Sequence, residues 1–473
     1  MKPFRILCAA VLATAVTALA AGSAGAITPA NGGDPGGTLW AVNNGPGDQT
    51  EPHVSGDLVV YTNNNEPSST IHYLDFATAA TGVVPAGAFA DNDFLPDVAG
   101  NRIVFSRSRS DGQTAAMLFD VGSGVVRELD PQPAVTRFGA VIGGDTVAYA
   151  DFAVDVNGEV FAYDLTTATA TNLSQSSGFD GAPAVSPAGN VVVWQRCVQF
   201  EVDCDVFQAV RNGGVWGAPT PVAASLWNDS NADTDGTTVV YDSDRPSATV
   251  QDIYLKPVAG GPEVPLQLGG FESNPSISRG VVTFESSSVF GGTSDLWAYV
   301  KATNTLYRVT DTPTVSETLN DVSVLPSGAV RVVWAANDDA VAGFHNVYSR
   351  TFTVPLTPST FSGFFSPVDN PPVFNVVRGG QAIPVKFSLG GNQGLDIFAA
   401  AYPVSQQIAC DNSSLLDDVE QTVTAGSSSL SYDATTDAYT YVWKTDKTWA
   451  QTCRQLIVRL ADGTDHIAYF KFK

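Results

Sequence analysis

Four carboxylates recur at one position of a repeated pattern, and they are the residues with the clearest potential for chemistry. Each lies three residues before the proline or alanine that anchors a strand-like run: Asp93, Asp180, Asp229 and Glu272. Carboxylate oxygens bind hard cations, and calcium is the usual one outside cells. If the repeats close into a ring, we expect one such side chain per repeat at the mouth of a central channel. The four residues then predict a calcium site.

Roles besides metal binding stay open for these carboxylates. Aspartate also caps tight turns by accepting hydrogen bonds from backbone N–H groups. Arg137 lies at the same position of another copy and Gln49 at that of a further one, and a fixed positive charge would weaken a metal site. Pairs of carboxylates that flank a glycosidic bond would instead give a carbohydrate-active enzyme. Asn231–Gly236 with Asp242 has the spacing of a calcium loop, but it leads into a strand, which favours a tight turn.

The motifs of common enzymes are otherwise missing from the sequence. There is no G-x-S-x-G, and no glycine-rich phosphate loop opens a helix. Four histidines are scattered without H-E-x-x-H spacing: His53, His72, His345 and His466. Serine-hydrolase, zinc-protease and nucleotide-binding functions are therefore not expected.

The elements that must position these residues form a pattern that occurs seven times. Each copy is a run of β-branched residues that ends in an aromatic, and the aromatics are 43 to 50 residues apart: Tyr61, Phe105, Tyr149, Trp194, Tyr241, Phe284 and Trp334. A second strand follows, often opened by Asp, Glu or Asn, as in Asp295-Leu296-Trp297. No sustained helical period lies between Gly37 and Pro355. A period near 45 with room for four strands is typical of a β-propeller blade.

The repeats resemble those of TolB-type propellers, in which a Pro-x-(apolar)-x-x-Gly inner strand precedes an Asp-(Ile/Leu)-(Tyr/Trp) strand. The resemblance covers residues 38–354 and implies protein–protein contacts as a function. Ala140 departs from it by replacing the proline. Seven blades are favoured, with six or eight as alternatives. Thr38–Val42 is similar to the Asp295–Tyr299 strand, so we predict that it pairs with the last blade and closes the ring.

The last 113 residues differ from the repeats. After a short proline-bearing linker, residues 355–360, the 45-residue period stops. Residues 361–473 show strand alternation, as at Tyr439, Tyr441 and Trp443, and predict a small β-sandwich with a hairpin turn at Asp462-Gly463. Phe361–Phe365 and Ile383–Gly391 resemble the PxKF domain, an Ig-like module at the end of many secreted bacterial proteins. The resemblance implies a spacer or attachment module.

The N-terminus predicts export. Lys2 and Arg5 precede an apolar run that is too short to span a bilayer, and Ala24-Gly25-Ala26 fits a cleavage site, so residues 1–26 read as a signal peptide. No later stretch predicts a transmembrane segment. The four remaining cysteines are then expected to form disulfides. Pairing of sequence neighbours joins Cys197 to Cys204 and Cys410 to Cys453, although four cysteines allow three connectivities.

The net negative charge of the chain restricts which molecules it can bind. The chain has 48 acidic and 24 basic residues, and residues 27–360 alone hold 37 and 14, a net charge of −23. Such a surface excludes general nucleic-acid binding and suits cations or basic partners. The sequence therefore predicts a secreted monomer that binds a protein or a cell-envelope polysaccharide, with no required cofactor. A carbohydrate-active enzyme that uses the carboxylates, with or without calcium, is the alternative.

Overall fold

The computed structural model describes most of the chain after residue 25. The described residues are 26–65, 68–86, 92–132, 134–199, 202–223, 225, 227–245, 251–266, 268–289, 291–339, 341, 343–356, 360–390, 397–398, 402–411, 414, 416, 420–424, 430–433, 435–460 and 464–473. The predicted signal peptide, apart from Ala26, residues 357–359 of the predicted linker and the turn at Asp462-Gly463 lie outside them. Within them the only helix is a 3-10 turn, Lys447–Trp449, and all other regular structure is strand.

The first thirty strands form seven sheets. Two short N-terminal strands come first: β1 (Ala30–Gly33) and β2 (Thr38–Asn43). The strands of blades 1 to 3 are β3 (Asp48–Ser55), β4 (Leu58–Asn65), β5 (Ser68–Asp75), β6 (Ala80–Val83), β7 (Asp93–Ala99), β8 (Arg102–Ser108), β9 (Thr114–Asp120), β10 (Val125–Glu128), β11 (Arg137–Gly143), β12 (Thr146–Asp151), β13 (Glu159–Asp164) and β14 (Thr169–Asn172). The strands of blades 4 and 5 are β15 (Phe179–Val185), β16 (Val191–Gln199), β17 (Val202–Asn212), β18 (Val215–Trp216), β19 (Thr220–Ala223), β20 (Asp229–Thr234), β21 (Thr238–Ser243), β22 (Asp252–Pro257) and β23 (Val264–Leu266). The strands of blades 6 and 7 are β24 (Phe271–Ser278), β25 (Val281–Ser287), β26 (Asp295–Val300), β27 (Thr305–Arg308), β28 (Glu317–Val324), β29 (Ala329–Ala336) and β30 (Asn346–Thr353).

These sheets form a closed seven-bladed β-propeller. Within each sheet, sequential strands pair antiparallel from the inner strand outwards. The seven inner strands pack on one another in order, and the last of them, β28, packs on the first, β3. The predictions of an all-β propeller and of seven blades are confirmed.

Closure uses the N-terminal strands. β2 pairs antiparallel with β30 and becomes the outermost strand of blade 7, so the predicted pairing with the last blade is confirmed. Within blade 7 it follows β30, which is the third strand of that sheet. β1 adds a parallel fifth strand to blade 6 beside β27.

The core lies between the blades. The seven repeated aromatics are each at most 5% exposed. They pack in clusters that join strands of adjacent sheets: Phe105, for example, contacts a cluster that contains Val60 of blade 1 and Val98 of blade 2. Because each sheet buries both faces against its neighbours, its strands need apolar residues at successive positions, as at Val191–Trp194, all of which are at most 1% exposed. This requirement explains the repeated run of valines and aromatics.

Two further sheets follow the propeller. The first contains β31 (Phe364–Phe365), β33 (Ala382–Phe387), β36 (Val423–Thr424), β37 (Ser431–Asp433) and β38 (Ala438–Lys444). The second contains β32 (Phe374–Val377), β34 (Val404–Ile408), β35 (Glu420–Gln421), β39 (Cys453–Arg459) and β40 (Asp465–Phe472). They share one core, in which Tyr439, Tyr441 and Trp443 of β38 pack with Leu456 and Phe470.

Both predicted disulfides are present. Cys197 and Cys204 are directly opposite each other on β16 and β17, with Cα atoms 3.9 Å apart, and they fasten the two longest strands of blade 4. Cys410 and Cys453 connect the end of β34 to the start of β39 across a separation of 43 residues. Both pairings of sequence neighbours are therefore confirmed.

Candidate binding site

The four carboxylates singled out from the sequence are buried inside their own blades. They share one position, the first or second residue of an inner strand, and the equivalent residues of all seven blades are polar and at most 4% exposed: Gln49, Asp93, Arg137, Asp180, Asp229, Glu272 and Glu317. This position therefore faces the interior of the blade and not the mouth of the channel.

Three of the four carboxylates are neutralised by arginine. Asp93 pairs with Arg107 of β8 at 2.6 Å. Asp180 pairs with Arg196 of β16 at 2.8 Å. Asp229 pairs with Arg245 at 2.9 Å. In blade 3 the charges are exchanged, since Arg137 pairs with Asp151 at 2.8 Å. The arginines also donate to backbone carbonyls of the segments that connect the blades, Arg107 to Pro85 at 2.9 Å and Arg196 to Ser174 at 2.8 Å.

Glu272 is held without an arginine. Its Oε1 accepts hydrogen bonds from the Gly270 N–H at 3.1 Å and the Ser286 hydroxyl at 3.2 Å. Burial, together with the charge of Asp252, raises the pKa of Glu272 to about 7. Among the described residues, no group of three or more His, Cys, Asp or Glu side chains is arranged to hold a metal ion. We therefore do not propose a calcium site from these four residues.

A different ring of residues lines the channel, four positions further along each inner strand. It consists of His53, Asp97, Val141, Ala184, Asp233, Ser276 and Asp321, around a cavity of about 1170 Å³. Each inner strand has a β-bulge just before this residue. The residue two positions earlier has a positive φ of 46° to 61° in every blade, and only Gly139 among them is glycine. The bulge shifts the alternation of side chains between the two faces of the strand by one residue. Counting every second residue from the start of the strand therefore selects side chains that do not face the channel.

The carboxylates of the channel connect neighbouring blades. Asp97, Asp233 and Asp321 each accept a hydrogen bond at Oδ2 from a backbone N–H of the next inner strand, at 2.6 to 2.7 Å. Asp321 of blade 7 reaches Val54 of blade 1, and this contact lies at the junction where the ring closes. Such charge-assisted bonds are stronger than neutral ones, so these carboxylates contribute to the closure of the ring.

His53 is the one basic member of this ring. Its Nδ1 is 3.6 Å from a carboxylate oxygen of Asp97 and 3.6 Å from one of Asp321. Burial opposes its charge, but the hydrogen bond with Asp321 and the charges of both carboxylates outweigh burial and raise its pKa to about 9. His53 is therefore an imidazolium at neutral pH. Burial raises the pKa of Asp233 to about 6.

An apolar pocket opens beside His53. We call it the loop-face pocket, because it lies at the end of the propeller where the inner strands begin. It has a volume of about 420 Å³, and its walls include Phe138, Phe152 and Phe179 as well as Pro96 and His53. Phe138 is 42% exposed and Phe152 37%. Exposed aromatic rings around a concave surface are typical of a binding site, in which stacking and burial supply affinity and a few polar groups fix orientation.

The residues that line the channel also have a signal in the sequence. They lie one position after the residue of each inner strand that is proline or alanine in most of the repeats. His53 and Asp97 each directly follow the repeated proline, and Ser276 follows the proline of blade 6. Alignment of the residues after the anchors finds a His, three Asp and a Ser at one position, which the prediction from the four carboxylates overlooked. The loop-face pocket had no comparable signal, because its aromatics come from both inner strands and connecting loops.

The fold and these openings define a β-propeller with a potential ligand site at one end of its channel. No protein family profile matches the sequence, and no curated protein is significantly similar to it. Solved structures are similar in fold. A puromycin hydrolase superposes with a TM-score of 0.51 at 14% identity over 73% of this chain, and the match spans only 59% of that enzyme.

Two other solved structures are also similar. The β-propeller domain of the Trilobed protease from Pyrococcus furiosus gives a TM-score of 0.49 at 12% identity and covers 64% of this chain and 95% of that chain. A putative TolB from Agrobacterium tumefaciens gives 0.38 at 15% identity, with coverage of 67% and 97%. At these identities the likeness concerns the propeller fold alone. No helix in the described part of the chain is long and apolar enough to cross a membrane.

Proposed function

We propose that this protein is an exported, non-enzymatic binding protein whose propeller binds a protein or a cell-envelope polysaccharide at the loop-face pocket. The observation that carries the proposal is the pocket itself, with Phe138 and Phe152 partly exposed around about 420 Å³ of apolar space. Protein partners bury aromatic anchors in such pockets, and sugar rings stack on exposed aromatic faces. The net charge of −23 on residues 27–360 favours neutral or basic partners.

Export and the role of the C-terminal sheets are part of the proposal. The predicted signal peptide accounts for the two disulfides, which persist in oxidising compartments. The two C-terminal sheets with their shared core are compatible with an Ig-like PxKF module, which would serve as a spacer or an attachment domain. Residues 355–360 would be the linker between this module and the propeller.

Catalysis receives less support from the geometry. The carbohydrate-active alternative relied on carboxylates at the mouth of the channel, but Asp180 and Glu272 are at most 2% exposed. Asp180 borders the loop-face pocket, and its carboxylate is already paired with Arg196 at 2.8 Å. The similarity to puromycin hydrolase is one of fold and brings no activity with it. Hydrolysis of a panel of polysaccharides that is abolished by Asp180→Asn or Glu272→Gln would favour the enzyme instead.

Removal of the pocket aromatics tests the binding function. We expect Phe138→Ala/Phe152→Ala to lower partner capture at least tenfold, because aromatic anchors at an interface typically contribute about 2 kcal/mol or more each. The assay compares immobilised wild-type and variant protein for material retained from the culture medium and cell-envelope fraction of the producing organism.

A matched control removes apolar surface from the opposite end of the propeller. Val215 is 71% exposed in the β17–β18 hairpin, and Val215→Ala is expected to leave capture unchanged. Thermal melting of both variants shows that they are folded. Equal capture by the wild type and the double aromatic variant would eliminate the loop-face pocket as the binding site.

A further inference from the structure

Blades 4 and 5 each contain an acid, an arginine and an aromatic ring in the same arrangement. In blade 4, Asp180 binds Arg196, whose guanidinium carbon lies 4.2 Å from the ring centroid of Phe207. In blade 5, Asp229 binds Arg245, whose guanidinium carbon lies 4.2 Å from the ring centroid of Tyr254. The arginine thus combines an ion pair with a cation–π contact.

Blade 7 retains the acid and the aromatic ring of this arrangement. Glu317 occupies the position of Asp180 and Asp229, and it is 2% exposed. Tyr348 of β30 occupies the position of Phe207 and Tyr254, and its ring stacks on Trp334 with centroids 6.1 Å apart. The aromatic platform and the buried carboxylate are therefore both present.

The arginine is missing from blade 7. Arg196 is the second residue after the repeated aromatic of its blade, and Arg245 is the fourth. The corresponding residues after Trp334 are Ala336 and Asp338. Among the described residues no arginine lies over the ring of Tyr348 and none forms an ion pair with Glu317 within 4.0 Å. The chain provides a methyl group and a second carboxylate where blades 4 and 5 provide a guanidinium.

A groove opens at this place, between blades 6 and 7. Its volume is about 730 Å³, and the blade 7 residues that line it are Glu317, Trp334, Ala336, Asp338 and Tyr348. We call it the blade 7 groove. In blades 4 and 5 the corresponding position is filled by the chain's own arginine. In blade 7, Glu317 and Tyr348 border the open groove instead.

The arginines that do line the groove are held by other partners. Arg308 binds Asp295 at 2.6 Å and Asp311 at 2.9 Å. Arg350 binds Asp34 and donates to the carbonyl of Gly36 at 2.8 Å. Neither forms an ion pair with Glu317 within 4.0 Å, and the acidic residues that line the groove outnumber its two arginines: Asp34, Asp311, Glu317 and Asp338. Burial raises the pKa of Glu317 to about 7, and a bound guanidinium would favour its charged form.

Hydrogen bonds within the chain fix the acceptors of the groove. The carboxylate of Glu317 accepts from the hydroxyls of Thr310, at 3.1 Å, and Thr312. Asp338 accepts from the Tyr348 hydroxyl at 2.7 Å and from Asn346 Nδ2 at 2.8 Å. The buried Oδ1 of Asn346, whose Nδ2 donates to Asp338, has no partner among the described residues.

We propose that the blade 7 groove binds the guanidinium group of an arginine displayed by a partner polypeptide, between Glu317 and Asp338 and over the ring of Tyr348. The planar group would take the place that Arg196 and Arg245 fill in blades 4 and 5. A guanidinium is preferred to an ammonium because it can stack on an aromatic ring and bind a carboxylate through two N–H groups at once. This site is distinct from the loop-face pocket and does not depend on it.

The test uses N-acetyl-arginine methylamide and its neutral isostere, N-acetyl-citrulline methylamide, titrated calorimetrically into the full exported chain. We expect millimolar affinity for the arginine compound and at least tenfold weaker binding of the citrulline compound. Glu317→Gln should weaken binding of the arginine compound at least tenfold. Ala336→Arg should abolish it, because the introduced side chain would fill the groove as Arg196 does in blade 4.

Two further variants show whether the arginine compound binds at the blade 7 groove or elsewhere. Phe152→Ala changes the loop-face pocket and should leave binding of the arginine compound unchanged, so the two sites can fail independently. Asp338→Asn keeps the shape of the side chain and should also weaken binding of the arginine compound. It replaces Ala336→Arg as the test if that variant does not fold. Equal affinity for the arginine and citrulline compounds, no binding at tens of millimolar, or wild-type affinity in the Glu317 and Asp338 variants would overturn the proposal.

Discussion

Replacement of Asp321 by alanine should lower the free energy of unfolding by about 3–4 kcal/mol, because it removes several charge-assisted hydrogen bonds and leaves their backbone N–H donors without an acceptor. Asp321 Oδ2 accepts from the Val54 N–H at 2.7 Å across the junction of blades 7 and 1. Its Oδ1 accepts from the Val322 N–H and the Ser276 hydroxyl, each at 2.7 Å. The imidazolium of His53 would also lose one of its two carboxylates. Urea unfolding at pH 7 measures the effect.

Ser323→Ala is the matched control for this junction. Its hydroxyl accepts one hydrogen bond, from the Gly56 N–H at 2.9 Å, between the same two blades. Its removal should cost about 1 kcal/mol, the usual net value for one neutral hydrogen bond. Similar small losses in both variants would show that Asp321 does not hold the ring closed.

Stability should fall as the pH rises from 5 to 9. Burial raises the pKa of Glu285 to about 7 in the folded protein, against an ordinary value of 4.5. A carboxyl with a raised pKa stabilises the fold below its unfolded value, and this contribution is lost as the pH rises through the folded value. His53 acts in the same direction, since its raised pKa of about 9 gives stability that is present below pH 6.5 and lost towards pH 9.

Glu285→Gln isolates one of these groups. Glu285 Oε1 accepts from the Leu319 N–H of blade 7 and from Asn274 Nδ2, each at 2.8 Å, and an amide oxygen can accept both. The variant should match the wild type at pH 5 and exceed it at pH 8 by an amount on the order of 3 kcal/mol, the equivalent of the pKa shift. Urea unfolding at four pH values measures the difference.

Substitution of an exposed carboxylate, Asp203, is the control for the Glu285→Gln experiment. Asp203→Asn removes a charge from the hairpin between β16 and β17 and should leave the pH dependence unchanged. If Glu285→Gln loses stability with rising pH as steeply as the wild type does, the buried carboxyl of Glu285 is not a source of the pH dependence.

The sequence was sufficient to predict the propeller because burial between blades places the same demand on every copy. A strand packed on both faces needs apolar residues throughout and a large ring at the widest gap, so Val191–Trp194 and Val281–Phe284 look alike although their neighbours differ. Such a demand produces a periodic pattern that can be counted. The disulfide connectivity was less certain, because four cysteines allow three pairings, and the pairing of sequence neighbours is the one that the structure contains.

The orientation of the side chains near the channel could not be predicted in the same way. Each inner strand contains a bulge, and residues such as Leu95 and Leu319 adopt a positive φ that their type does not suggest. A bulge shifts the alternation by one residue, so Asp93 points into its blade and Asp97 lines the channel. The N–H of Leu95 donates to a carboxylate oxygen of Glu51 in the preceding blade at 2.8 Å, a contact that forms only when blades 1 and 2 pack together.

The closing strand shows a similar limit. Trp40 and Leu39 make the sequence of β2 similar to that of the Asp295–Tyr299 strand, but they are 51% and 62% exposed in the outermost position. An outermost strand has a neighbour on one side only, so its composition is weakly constrained, and composition alone does not determine its place in the sheet.

Site-specific photocrosslinking tests the binding function most directly. A photoreactive residue at Val156, which is 87% exposed in the loop beside Phe152, samples the loop face, and one at Val215 samples the opposite face. We expect the protein added to the producing organism's culture to form a discrete crosslinked product from position 156, lost in Phe138→Ala/Phe152→Ala, and none from position 215. Crosslinking from position 215 alone, or a product at position 156 that survives the double substitution, would contradict the account.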